Sequence, residues 1–276
     1  MNAKKISIIT VSYNNFAGLQ KTIESVINQE FSDYEFIIID GNSNDGSKEL
    51  LEKYEDKLTY WVSEPDNGIY HAMNKGISMA RGQYVLFLNS GDSLHDNQVL
   101  STVTDKINGS YGIYYGDIIY EETDKRSKRS FPEQLTFQFF VEHNISHQAS
   151  FIKRSLFDEI FLYNEEFKIV SDWEFFTYAI CKENVSYKHL DLIITDYDAT
   201  GISSDIKNHA EMHRERNFSL RKYFPAFVDD YQQISQIKEK RVQQFFIIKE
   251  NPVLWKIQKL FMDILVLFLP NGRKRS

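Results

Sequence analysis

The first hundred residues alternate between two hydrophobic periods, and this alternation narrows the fold more than any other feature. Ile6-Ser7-Ile8-Ile9-Thr10-Val11 is a nearly unbroken apolar run, as in a strand buried on both faces. Leu19, Ile23, Val26 and Ile27 then recur at helical spacing. Glu35–Ile39 reads as a second strand, Lys48–Tyr54 as a short helix and Thr59–Val62 as a third strand. Ile69, Met73, Ile77 and Ala80 make the next helical stripe, and Gln83–Leu88 a fourth strand. Strands joined by helices of this length predict an α/β domain with a parallel sheet covered on both faces. Ten of the twelve glycines lie at or before Gly116, so the tight turns concentrate in the same region.

Beyond residue 110 the alternation loosens. Ile113–Tyr120 reads as a strand, Glu121–Arg129 as an exposed hairpin or loop and His147–Ile152 as a further strand. A helix is expected from about Asp172 to Cys181, and the region after Asp205 reads as helical and basic. The net charge of −7 conceals this division: residues 1–204 carry 18 Lys/Arg against 31 Asp/Glu, and residues 205–276 carry 14 against 8. So acidic a first part does not suit a nucleic-acid binder, which needs a basic face to neutralise phosphates. A phosphorylated ligand there would call for a divalent metal. One cysteine, Cys181, excludes a disulfide framework and any cysteine-based zinc site. No apolar stretch precedes the first strand, so a secretory signal is not expected.

Ligands of open parallel sheets bind at the carboxyl ends of the strands. Each expected strand end here turns polar, and the four clusters predict one polar crevice. They are Ser12-Tyr13-Asn14-Asn15, Asp40-Gly41-Asn42-Ser43-Asn44-Asp45-Gly46-Ser47, Ser63-Glu64-Pro65-Asp66-Asn67-Gly68 and Asn89-Ser90-Gly91-Asp92. Gly41, Gly46, Ser47 and Lys48 approach a P-loop, but Ser and Lys stand in the wrong order and Asp45 would face the anion. Gly18 is the only glycine after strand one, so a G-x-G-x-x-G dinucleotide loop is absent.

These motifs resemble family 2 inverting glycosyltransferases of the GT-A fold. The resemblance rests on Thr10-Val11-Ser12-Tyr13-Asn14, Ile39-Asp40-Gly41 and Asp45-Gly46-Ser47. Ser63–Tyr70, Ala72-Met73-Asn74-Lys75-Gly76, Ala80–Tyr84 and Phe87–Asp92 are similar to the branch that builds bacterial O-antigen, capsule and exopolysaccharide. His147-Gln148-Ala149-Ser150-Phe151 and Ser171-Asp172-Trp173-Glu174-Phe175 complete the match, which spans roughly residues 4–204. The resemblance implies a Rossmann-like, mixed and mainly parallel sheet with helices on both faces. It divides the chain into a catalytic domain at 1–204 and a helical basic region at 205–276.

It also implies roles. Thr10, Ser12, Tyr13, Asp40, Asp45, Asn89 and Ser90 would bind the nucleotide, although Asp40 and Asp45 also suit capping of the following turn and helix. Asp92 is the acid retained from the family's D-x-D region, and a hard cation such as Mn²⁺ or Mg²⁺ wants such oxygens. Asp172 matches the aspartate of the family's Glu-Asp pair, with Ser171 in place of the glutamate, and would deprotonate the acceptor. A helix N-terminus would favour that acid in any case. Glu64, Asp66, Asn74, Arg81, His147, Gln148, Trp173 and Glu174 would border the donor sugar and acceptor, although a single strand histidine is more often structural. Gly201-Ile202-Ser203-Ser204 resembles a loop that closes over the diphosphate.

Val253–Leu269 holds thirteen apolar residues in seventeen and is bounded by Pro252 and Pro270. At about 1.5 Å per residue it falls short of a bilayer core. It reads as an interfacial helix followed by Arg273-Lys274-Arg275, or as a helix packed on its own domain or in a homodimer. The expectation is a cytoplasmic enzyme, peripheral on the inner face of the cell membrane. It would move a sugar, with inversion, from a nucleotide donor (UDP by resemblance) to a glycan or polyprenyl-linked glycan. The rival reading is a silent sugar-nucleotide-binding subunit, motivated by Asn89 and Gly91 where acids are usual. A nucleotidyltransferase would show a basic glycine-rich loop after strand one, which is absent.

Overall fold

The computed structural model describes residues 5–122, 125–201, 206–230 and 240–268. The expected alternation is realised as β1 (Ile6–Ser12), α1 (Phe16–Ile27), β2 (Tyr34–Asp40), α2 (Ser47–Lys53), β3 (Tyr60–Ser63), α3 (Ile69–Met79) and β4 (Tyr84–Phe87). β1 pairs in parallel with β2 and β4, and β2 with β3. Ser12 stands opposite Asp40, and Asp40 opposite Ser63, so three polar clusters leave the sheet along one edge. After β4, the Leu88 N–H donates to the Ile9 carbonyl at 2.9 Å and the Ser90 N–H to the Val11 carbonyl at 3.1 Å. The fourth cluster therefore emerges beside the end of β1.

The chain continues through β5 (Ser93–Leu94), α4 (Val99–Lys106), β6 (Ile113–Glu122), β7 (Lys125–Arg129), α5 (Phe137–Glu142), β8 (Ser150–Lys153), α6 (Leu156–Glu159), α7 (Ser171–Cys181), β9 (Tyr187–Asp198) and α8 (His209–Tyr223). One nine-stranded sheet results, ordered β3-β2-β1-β4-β8-β6-β9-β5, with β7 on the side of β6. It is mixed: β8 runs antiparallel to β4 and β6, and β9 parallel to β6. The strand expected at His147–Ile152 begins only at Ser150, because the Ala149 N–H and the Ser150 hydroxyl both close on the Ser146 carbonyl. His147–Ala149 forms a 3-10 turn instead. β9 lacks a clear hydrophobic period in the sequence, since Lys188, Asp191 and Asp196 interrupt its apolar residues.

β1 is buried at every residue, which requires cover on both faces of the sheet. α3 packs on β1 and β2, and Leu19, Ile23 and Val26 of α1 are fully buried. Each such aliphatic side chain contributes about 1.5–3 kcal/mol relative to exposure. At the opposite, amino edge of the sheet, Glu35 accepts hydrogen bonds from Ser7 Oγ at 2.6 Å, Arg81 N at 2.8 Å and Gly82 N at 3.0 Å. A Cβ at Gly82 would lie 2.6 Å from the Ser7 backbone nitrogen, so this turn takes only glycine.

Two compact units make up the chain, Met1–Ser219 and Leu220–Ser276. The first turns of α8 belong to the first unit, because the buried Glu215 accepts from the backbone nitrogens of Lys168, Ile169 and Val170. The second unit contains α9 (Lys240–Glu250) and α10 (Pro252–Val266), which pack on each other with Phe245 edge-on to Trp255 at 5.1 Å. Asn251 caps α10 by accepting from Val253 N and Leu254 N. Val253, Leu254, Ile257, Leu260, Phe261 and Ile264 are all exposed. No helix among the described residues is long and apolar enough to cross a membrane. Residues 269–276, with Arg273–Arg275, lie outside the described residues, as do Ile202–Ser204 of the expected closing loop.

Candidate active site

The polar edge of the sheet opens into a cavity of about 560 Å³. Ser12 and Tyr13 reach it from the end of β1, Asp66 from the loop after β3, and Asn89, Ser90 and Asp92 from the loop after β4. His147 and Gln148 enter from the turn before β8, Asp172 from the first turn of α7, and Asp198 from the end of β9. Tyr13 is 67% exposed, leaving its ring free to stack. Ser12 Oγ and Asn89 Oδ1 are buried without a hydrogen-bond partner among the described residues. Two lining groups thus await donors or acceptors that the protein does not supply.

Asp92 is buried, and its Oδ1 accepts from the Asp198 N–H at 2.9 Å. Burial pushes its carboxyl up to about 7, against the opposing pull of that N–H, of His147 and of Gln148. The glycine in the Asn89–Asp92 cluster has a spatial reason. Gly91 has φ +106°, and a Cβ there would lie 2.8 Å from Asp198 Oδ2. Glycine makes room for a second carboxylate delivered by a distant strand. The lining holds four carboxylates, Asp66, Asp92, Asp172 and Asp198, against Lys168 and His147, an excess that favours a cation.

Asp172 is held from three sides. Oδ1 accepts from the Tyr70 hydroxyl at 3.2 Å, and Oδ2 from His147 Nδ1 at 2.9 Å and Asn144 Nδ2 at 3.2 Å. Burial raises its pKa, but the His147 hydrogen bond and charge, the Trp173 N–H and the Tyr70 hydroxyl outweigh that, and the carboxyl sits below its ordinary range. Tyr70 is driven well up by burial and by the Asp172 charge, so it remains a neutral donor. His147 Nδ1 faces Asp172, and the opposite nitrogen, Nε2, stands 3.2 Å from Asn89 Nδ2. Asn89, His147 and Asp172 form one chain across the cavity floor.

Several residues singled out from the sequence lie elsewhere. Thr10 is fully buried and donates to the Leu88 carbonyl at 2.7 Å, bracing β1 against the end of β4. Asp40 is fully buried and accepts from Ser43 N, Ser43 Oγ and Ser63 Oγ, which closes its own turn. Asp45 accepts from Phe16 N and from Ser47 N and Oγ, tying together the starts of α1 and α2. Burial raises Asp45, but those hydrogen bonds together outweigh it and bring the carboxyl below its usual value. Asn74 clasps the Tyr163 backbone and Glu165, and Glu64 pairs with Lys75 at 2.7 Å. Arg81 is a clear correction: it precedes β4 and therefore sits at the amino edge, away from the cavity. Trp173 is buried with its Nε1 on the Phe140 carbonyl, and Glu174 is buried in α7; neither lines this cavity.

Lys168 and Asp198 on the lining, and Glu215 behind it, escape sequence reasoning; Asn15 and Tyr70 belong to motifs singled out in the sequence, with no role assigned to either. Asp196-Tyr197-Asp198 ends a half-buried strand, so the polar end of β9 is a signal only once that strand is recognised.

Residues 7–161 match the family model described as Glycosyl transferase family 2. An uncharacterized glycosyltransferase of Mycobacterium tuberculosis, Rv1514c, is 31% identical over 245 residues, which cover 82% of this chain and 91% of that protein. Two solved structures are similar in fold. Staphylococcus aureus TarS 1-349 in complex with UDP-GlcNAc gives a TM-score of 0.58 at 20% identity, covering 70% of this chain and 58% of that one. The mannosyltransferase PcManGT from Pyrobaculum calidifontis, in complex with GDP-Man and Mn²⁺, gives 0.55 at 11% identity, covering 93% and 87%.

Proposed function

The chain belongs to glycosyl transferase family 2, and from that premise we propose that it moves one sugar, with inversion, from a nucleotide-diphosphate donor to a glycan hydroxyl. UDP is the proposed nucleotide, and the acceptor is a lipid-linked glycan of a cell-surface polysaccharide. The observation that carries this reading is Asp172, a buried carboxylate kept ionised by its hydrogen-bond donors on the wall of a cavity that Asp92 and Asp198 also line.

Ser12 Oγ and Asn89 Oδ1 would meet ribose or base groups, and Tyr13 would stack on the base. Asp92 and Asp198 would hold a divalent cation, Mn²⁺ or Mg²⁺; when bound it neutralises the diphosphate and supports its departure. The fit is chemical: two hard carboxylates stand together in a cavity with an acidic excess, where a bare diphosphate would be repelled. In the transfer, the acceptor oxygen forms a bond to the anomeric carbon as the bond from that carbon to the diphosphate oxygen breaks. The electron pair leaves with the nucleoside diphosphate, and the acceptor proton passes to Asp172. His147 and Tyr70 fix the orientation of that carboxylate.

The exposed apolar row of α10 supports a peripheral place on the inner face of the cell membrane, beside a lipid-linked acceptor. Removing residues 250–276 should abolish sedimentation with anionic vesicles; unchanged binding refutes the membrane proposal. The reaction itself is tested by a donor panel with Mn²⁺, scored by nucleotide release and by NMR of the product anomer. An α-linked donor should give a β-linked product, and a retained anomer refutes the mechanism.

A further inference from the structure

A second cavity, of about 760 Å³, meets the first at His147, Gln148, Ile169, Asp172 and Tyr197. Asp172 therefore faces two spaces, and the second is the one not lined by the β1 and β4 ends. Its character differs. Arg216 from α8 lies over the ring of Trp173 at 5.1 Å, and Arg129 from β7 lies over Tyr120 at 5.4 Å. Arg216 Nε is buried and donates to nothing, and among the described residues no carboxylate forms an ion pair with this guanidinium. The two carboxylates on the wall are otherwise engaged: Asp172 by Tyr70, His147 and Asn144, and Glu142 by Gln138. Asn144 Oδ1, on the same wall, is buried without a partner.

Arg216 is half-buried, and the Asp172 charge favours its guanidinium without forming an ion pair with it. With Nε sealed from water and unbonded, the group still gains from an anion that a ligand supplies. Its planar fork matches a carboxylate or a phosphate. A neutral sugar hydroxyl would be served by an amide or a carboxylate and gives no reason for an unpaired arginine. Aromatic rings on the wall provide flat apolar surface for a sugar face. We propose that this cavity receives the acceptor and that Arg216, assisted by Arg129, selects an acceptor sugar bearing an anionic group, a carboxylate or a phosphate. The inference rests on Asp172 as the base, because that residue defines which side the attacking hydroxyl comes from.

Binding separates the two ideas, since it needs no turnover. D-glucuronate, D-glucose 6-phosphate and D-glucose are titrated into the full chain by NMR or calorimetry, beside Arg216→Gln, Arg216→Lys and Arg129→Gln. At least one anionic sugar should bind the parent about tenfold or more tighter than glucose, the scale of a charge-assisted hydrogen bond. The glucuronate and 6-phosphate arms tell carboxylate from phosphate. The preference should vanish in Arg216→Gln, shrink in Arg129→Gln and survive in part in Arg216→Lys. A melting midpoint close to the parent's identifies a folded variant. Turnover by Asp172→Asn reports on the base alone, so a failure there is distinguished from a failure of anion selection. Equal binding of all three sugars by the parent overturns the proposal whatever the variants do, and so does a preference that persists in folded Arg216→Gln.

Discussion

Glu215→Ala is the perturbation whose cost can be worked most directly. The Glu215 carboxylate is fully buried and accepts from Lys168 N at 2.7 Å, Ile169 N at 3.1 Å and Val170 N at 3.2 Å. Those nitrogens precede α7, and Ile169 and Asp172 line both cavities. In the alanine variant water can reach the Lys168 and Ile169 nitrogens, whose bonds are part-buried, so each loses only about 0.5–1.5 kcal/mol net. The Val170 bond is buried, and its orphaned N–H costs the full desolvation penalty of about 1–3 kcal/mol. With the cavity left by the side chain, the total is about 3–5 kcal/mol, or a melting midpoint lowered by on the order of 10 °C. Glu215→Gln retains one acceptor oxygen and should lose roughly half of that. Denaturant unfolding measures the loss, and hydrogen exchange at Lys168–Val170 locates it. A Glu215→Ala protein within about 1 kcal/mol of the parent, with those amides still protected, would refute the reasoning.

Three further outcomes are expected. Arg81→Ala should leave donor affinity unchanged and shift stability by no more than about 0.5 kcal/mol, because the side chain is exposed at the far edge of the sheet; a large rise in donor KM would contradict that placement. The Cys181 thiol, pushed up to about 11 by burial, should resist a disulfide reagent at pH 8 until the chain is unfolded, and rapid labelling of the native protein would contradict it. The Asp172 pKa is lowered on folding, so its contribution to stability is present above the unfolded carboxylate value of about 3.9 and disappears as pH falls through the folded value. Acid titration of Asp172→Asn should accordingly lack part of the parent's stability loss below about pH 4; identical acid limbs would contradict it.

The parallel half of the sheet was legible because hydrophobic period is a local property, and β1–β4 follow it within a residue or two. The crevice was legible for a related reason. Strands in parallel register necessarily deliver their carboxyl ends to one edge, which is how Ser12, Tyr13, Asn89, Ser90 and Asp92 come to line one cavity, joined by Asp172 from α7. What each polar residue does there was less legible. Asp40 and Asp45 look like ligands in sequence; in the fold their carboxylates accept from Ser43 and Ser47, as their turn-forming chemistry allows, and neither is on the cavity lining. Asn74 and Arg81 follow the third loop in the chain but leave the site in space, since α3 carries the chain back toward the amino edge. Asp198 and Glu215 act through contacts more than 40 residues away in sequence, 106 residues for Asp198 with Asp92, and no local pattern announces such partners. His147 was placed beside the donor sugar and acceptor, with a structural strand histidine as the alternative; a 3-10 turn sets it on the cavity lining, where its ring nitrogens meet Asp172 and Asn89.

The proposed mechanism has Asp172 take the acceptor proton. Its most direct test compares the parent with Asp172→Asn in nucleotide release, with donor, Mn²⁺ and acceptor all saturating. Asparagine keeps the shape and the hydrogen bond from Tyr70 but accepts no proton, so kcat should fall by about 10²–10⁴ while the nucleotide still binds with the parent's affinity. Equal acceptor-dependent release from both proteins would contradict the account.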